Sequence, residues 1–278
     1  DTPALPAPPP APLNFIALAA DPLVDATGAA HDSNRLDLNN ELKAVRRALQ
    51  KSGCALTAQR IPPTHTALQR ALRFGPAALH ITCHGSVTQV DGKPMAMLSL
   101  EDMDGKSDPL MGSDLVSLPP PGVLRLVLLS ACETALSLGL RDNAPDAGNA
   151  NLARALVQQG VPFVVGMQGS LNDRLSDDLA VAFYEMVLAG RSLAEALRQT
   201  RLALAKDPKN LGLLVGYAGR DGWRPLPLVQ GGSRVAGLGF PGKVNLPGDV
   251  QPPRPILGRN ADLHALAARY SQGHKVVT

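Results

Sequence analysis

Short apolar runs of strand length recur along this chain, and between them lie stretches with helical spacing. Residues 13–20, 77–83, 124–129, 161–167 and 213–217 are runs of that kind. Leu38, Leu42, Val45 and Leu49 share one helical face, and Gly53 stops it. Thr64 caps a second helix running through Arg73 and closed by Gly75, and residues 151–159 form another, stopped by Gly160. Ser176 is placed as the cap of a helix over 176–189, with Asp177 and Asp178 favouring its N-terminus. Ser192 and Glu195 form a capping box for a helix reaching about Lys206. Asp91-Gly92 between residues 87–90 and 95–100 signals a two-residue hairpin. Strands that alternate with helices need crossover connections, so the fold class is α/β: a mostly parallel sheet sandwiched between helices.

Two of these runs end in chemistry. The first reads Ala-Ala-Leu-His-Ile-Thr-Cys-His-Gly-Ser over residues 77–86, and the second Leu-Arg-Leu-Val-Leu-Leu-Ser-Ala-Cys-Glu-Thr over 124–134. A parallel sheet gathers the C-terminal ends of its strands on one edge, where such folds bind and react. Strands ending at His84 and Cys132 bring an imidazole to a thiol, the minimum equipment for nucleophilic cysteine catalysis.

Composition narrows the setting. No run approaches the ~18 apolar residues of a membrane span, and Asp1 stands where a secretory signal carries basic charge. A net charge of +3 with 3% aromatic residues offers little for stacking bases, so no nucleic-acid role and no membrane role are assigned. The three cysteines (Cys54, Cys83 and Cys132) are odd in number and unevenly spaced, which argues against a disulfide framework and against a metal site. A cytoplasmic location, where thiols stay reduced, and no cofactor are expected. Cys83, on the opposite face of its strand from His84, is expected in the core, and Cys54 near the surface. His31, His65, His80, His264 and His274 lack a partner motif and are read as bystanders.

The segments His-Ile-Thr-Cys-His-Gly-Ser (80–86) and Leu-Ser-Ala-Cys-Glu-Thr (129–134) resemble CHAT domains, caspase-like cysteine peptidases of bacteria. The resemblance continues through residues 151–168 and 182–197, four blocks in order. It implies a peptidase domain over 13–229 that cleaves specific protein substrates, with Cys132 as nucleophile and His84 as proton carrier. The backbone amides of Gly85 and Cys132 are the expected oxyanion hole, and a backbone carbonyl is expected to orient the His ring. For the substrate pocket the candidate acids are Asp37, Glu133 and Asp173, and Arg35 is a candidate base. Asp37 is equally placed to cap the helix that starts at Leu38, and Glu133 is common in the family beside the nucleophile. The polar loop 139–150 suits an enzyme awaiting an activating partner, and suits a tolerated insertion as well.

Outside the peptidase domain, residues 1–12 read as a proline-rich linker and 230–254 as a Gly/Pro-rich one. Residues 255–278, which follow Arg254, resemble the opening of a STAND-type ATPase domain, cut before any phosphate-binding loop. This implies a fused sensor or ATPase region as partner, in bacterial defence or programmed cell death. Two other functions compete: a catalytically silent caspase-like interaction module, and a thiol redox switch on Cys132, which a missing resolving cysteine disfavours.

Overall fold

The computed structural model describes residues 12–25, 27, 29, 35–117, 124–136, 151–170, 175–205, 210, 212–218, 225–228, 231 and 233–238. Residues 1–11, the loop 139–150, Asp173 and residues 239–278, all assigned from sequence above, lie outside them.

Seven strands form one sheet: β1 (Leu13–Ala19), β2 (Leu56–Ile61), β3 (Ala78–Thr82), β7 (Leu126–Ser130), β8 (Phe163–Met167), β9 (Leu214–Ala218) and β10 (Ser233–Gly237). Their spatial order is β10-β2-β1-β3-β7-β8-β9, parallel except for β9, which runs antiparallel to β8. The expected α/β architecture is the one observed. Three further strands, β4 (His84–Val90), β5 (Lys93–Glu101) and β6 (Ser107–Met111), make a small antiparallel sheet in that order. Asp91 (φ 51°) and Gly92 (φ 74°) turn the β4–β5 hairpin, as the dipeptide predicts, because both central residues of that turn need positive φ.

Helices α1 (Leu38–Lys51), α5 (Ser176–Leu188) and α6 (Leu193–Leu204) cover one face of the large sheet. There Phe15, Leu42, Val45, Leu49, Phe163 and Phe183 form a continuous core. The other face packs α2 (His65–Arg73), α3 (Gly112–Ser117), α4 (Leu152–Gln158) and the small sheet against Ile16, Leu18, Leu79, Ile81 and Val127. The central strands β3, β7 and β8 are buried on both faces, which is why they read as unbroken apolar runs.

Several local expectations change. β2 alternates buried and exposed residues over Leu-Thr-Ala-Gln, so its polar half hides it from a search for apolar runs. The sheet and its core continue past residue 229, where the expected domain ends. β10 pairs with β2 inside the segment read as a linker, and Val235 and Leu238 are buried in the core. Backbone pairing to an edge strand asks little of sequence, so a Gly-flanked pentapeptide suffices. Ser176 is the first residue of α5 rather than its cap; Leu175 occupies that position without a side-chain bond. Ser192 does cap α6, accepting from the Glu195 N–H, but the Glu195 carboxylate turns to Arg198 and Gln199. Cys54 is buried at 1% exposure, its thiol 3.5 Å from the Leu188 carbonyl oxygen, because the chain beyond Gly53 packs under α5.

Candidate active site

Strands β3 and β7 lie side by side and parallel, with Thr82 opposite Ser130. His84 and Cys132 each come two residues later, so equal steps beyond one registered pair deliver both to the same end of the sheet. The Cys83 N–H donates to the Ser130 carbonyl at 3.4 Å, carrying the pairing one step further. Gly85 explains how closely the two chain segments approach. A side chain there would collide with the Cys132 carbonyl oxygen and come within 3.2 Å of Ala131 Cβ and Cys132 N. Only a residue without Cβ lets the start of β4 pack backbone on backbone against the Cys132 turn.

That turn is held on a buried scaffold. Thr134, 2% exposed, donates its hydroxyl to the Ala131 carbonyl (2.9 Å) and accepts from the Met167 N–H (3.1 Å). The Ala135 N–H donates to the Met167 carbonyl and the Ala153 N–H to the Thr134 carbonyl, tying the turn to β8 and α4. Glu133 adopts φ 59°, and its carboxylate accepts from the Val87 N–H on β4 at 3.1 Å. Since Val87 N–H points away from β5, the alternation of an antiparallel ladder turns the Gly85 N–H to the same outer side.

His84 meets a side chain that sequence reasoning missed. Asp21 follows β1, the other neighbour of β3, and its Oδ1 lies 3.1 Å from His84 Nε2. A carboxylate only accepts, so this hydrogen bond places a ring hydrogen on Nε2. The Asp21 side chain is 5% exposed and His84 20%. Arg35 closes the cluster: its Nη2 lies 2.8 Å from Asp21 Oδ2, and the guanidinium also donates to the Asp21 and Pro22 carbonyls. The Leu36 N–H reaches the same Oδ2 at 3.3 Å, and the Asp21 N–H donates to Glu101 Oε1. The backbone carbonyl expected to orient His84 therefore has a side-chain counterpart. The one available signal was an acid at the C-terminal edge of a buried strand.

Of the sequence candidates, His84, Gly85, Cys132 and Glu133 come together, and Arg35 joins them through Asp21. Asp37 caps α1, its two carboxylate oxygens accepting from the Asn40 N–H and side-chain amide. Cys132 is partly exposed, whereas Cys54 and Cys83 are buried. Burial pushes the Cys83 thiol far above its ordinary range, which keeps it protonated and inert. His80 is fully buried beneath the site, bonded to Tyr184 Oη (3.1 Å) and Thr82 Oγ1 (2.7 Å). Glu41 Oε1 lies 3.3 Å from His80 Nε2, within ion-pair range but without a hydrogen bond of its own. Among the described residues no cluster could hold a metal ion, and no helix is long and apolar enough to cross a membrane.

No curated protein matches the sequence. Among solved structures, the chain is similar to the Arg-specific cysteine proteinase gingipain R, at 13% identity and a TM-score of 0.47. The alignment covers 78% of this chain and 47% of that one, so this chain spans about half the length of that protein. The CHAT domain profile matches residues 18–239, from the last two residues of β1 through the strands that lead to His84 and Cys132 and on to β10. On that match, over most of its length, the chain belongs to the CHAT domain family.

Proposed function

We propose that this protein is a cysteine endopeptidase that cuts protein substrates with His84 and Cys132. The observation that supports it best is the pairing of Thr82 with Ser130, which brings both residues to one sheet edge, with His84 tied to a buried carboxylate. In this reading Cys132 Sγ, its proton taken by His84 Nδ1, attacks the substrate carbonyl carbon. The developing oxyanion is met by the Gly85 and Cys132 N–H groups. His84 then gives its proton to the leaving amine, and water, deprotonated by the same imidazole, hydrolyses the thioester. Asp21 holds the ring in the tautomer that these transfers need.

Asp173, on the segment after β8, is the pocket acid we propose for substrate contact; Asp37 and Glu133 remain weaker candidates, since each carboxylate already serves a backbone N–H. We further propose that a STAND-type region beginning in residues 255–278 gates the peptidase in a longer protein acting in defence or cell death. The experiment is cleavage of a diverse peptide library by the protein and by its Cys132→Ala and His84→Ala variants. Cleavage abolished in both supports the dyad. Cleavage that survives either variant refutes the dyad, and a full-length protein that stays silent when triggered refutes the peptidase reading in favour of an interaction module.

A further inference from the structure

We infer that Glu133 is a positioning residue, whose carboxylate, by gripping the Val87 N–H, sets the separation between the His84–Gly85 segment and the Cys132 turn. The inference rests on the peptidase reading above and assigns Glu133 a part in the same site. β4 is the edge strand of the small sheet, so among the described residues its outer N–H groups beyond Gly85 have no strand to pair with. Glu133 supplies the acceptor: its Oε2 lies 3.1 Å from Val87 N. The link spans the two segments that carry the chemistry, one residue from Cys132 on one side and three from His84 on the other. It acts where the segments already touch, since Gly85 has no room even for a Cβ against the Cys132 carbonyl.

The backbone of Glu133 fits this use. At φ 59° it occupies the left-handed region, which an unbranched residue adopts only at a free-energy cost. Leu136 N–H closes the turn on the Glu133 carbonyl at 3.1 Å, so the conformation is held from both ends. A carboxylate beside a nucleophilic thiol is electrostatically adverse, because like charge opposes thiolate formation. Its placement is accounted for by the hydrogen bond to β4 and not by its charge.

Charge and position predict opposite signs, which makes the test sharp. The readout is the rate of Cys132 alkylation by iodoacetamide against pH, located by mass spectrometry, with thermal melting alongside; the buried Cys54 and Cys83 do not compete. Three variants are compared. Glu133→Ala removes the acceptor, Glu133→Gln keeps an oxygen acceptor without the charge, and Val87→Pro removes the donor on an outer edge where proline is tolerated. The wild type should alkylate readily near pH 6, as a thiol paired with an imidazole does, and His84→Ala should abolish this.

Glu133→Ala and Val87→Pro should each alkylate about tenfold more slowly at that pH, and should not add when combined. Glu133→Gln should stay within about threefold of wild type, since a neutral bond replaces a charged one. Alkylation unchanged in Glu133→Ala or Val87→Pro would overturn the inference and leave the dyad standing. Faster alkylation in both Glu133 variants would show that the carboxylate acts by charge, and would overturn it too. A wild type that behaves as an ordinary thiol, indifferent to His84→Ala, would remove the dyad reading and the inference together. Should Glu133→Ala fail to fold, Val87→Pro and Glu133→Gln decide the matter by themselves.

Discussion

Replacing Asp21 by Asn should disable the site while barely altering the fold. Asparagine offers one oxygen and one NH2 where the carboxylate offers two acceptors. Asp21 Oδ2 receives the Arg35 guanidinium at 2.8 Å and the Leu36 N–H at 3.3 Å, while Oδ1 faces His84 Nε2. A cation and an amide donor both meet Oδ2, so the amide oxygen should settle toward Arg35. The NH2 then points at His84 Nε2, which must become an acceptor, and the ring hydrogen moves to Nδ1. In the proposed mechanism that is the nitrogen that takes the Cys132 proton. Loss of a correctly placed acid–base group costs about 10²–10⁴ in rate, or about 2.7–5.5 kcal/mol of transition-state stabilisation. The fall should appear in kcat with KM little changed, because no substrate contact is removed. Stability should suffer less: Asp21 is 5% exposed but Arg35 is 47%, and a pair hydrated on one side contributes about 1 kcal/mol. The melting temperature should therefore fall by at most about 4 °C. The assay is kcat/KM for a peptide found in the library, measured across pH beside a thermal melt. Activity within about threefold of wild type, under 1 kcal/mol, would show that Asp21 does not govern the tautomer.

Gly85→Ala should cost about 1–3 kcal/mol of stability, since the new methyl group meets the Cys132 carbonyl, and should lower kcat/KM about 10²-fold by displacing the turn; melting and kinetics read both. The Cys83 thiol, raised first by burial, contributes stability below its unfolded value of 9.0 that is lost as pH climbs above it; urea titrations at pH 8 and 10.5 should show a steeper fall for wild type than for Cys83→Ala. Glu195, held down to about 2 chiefly by its hydrogen bond from Arg198, contributes above 4.5 and loses that contribution as pH falls toward 2; because the pair is exposed, Glu195→Gln should shift the acid midpoint only slightly, and less in high salt. Ser192→Ala should cost about 0.5–2 kcal/mol in chemical denaturation by removing the α6 cap.

His84 and Cys132 could be read from sequence because their signals are local: each ends a buried apolar run beside a residue that permits a sharp turn. The caps of α1, α2 and α6 and the Asp91-Gly92 hairpin were legible for the same reason, being matters of a few consecutive residues. β10 was not, because an edge strand needs only free backbone groups on its neighbour, and nothing in Ser-Arg-Val-Ala-Gly announces them. Cys54 was misplaced because its burial depends on α5, which closes over it from more than a hundred residues away in the chain.

The sequence alone therefore determined the class of fold, most of its helices and buried strands, and the meeting of His84 and Cys132 at one sheet edge, since these follow from periodicity and residue type along short stretches. Only the tertiary structure decided that β1 lies against β3, so that an acid looking like any strand-terminal turn residue becomes the partner of His84. It likewise decided that Glu133 reaches across to β4 instead of out to solvent. Strand order and cross-segment hydrogen bonds depend on packing between distant parts of the chain, and no local pattern carries that information.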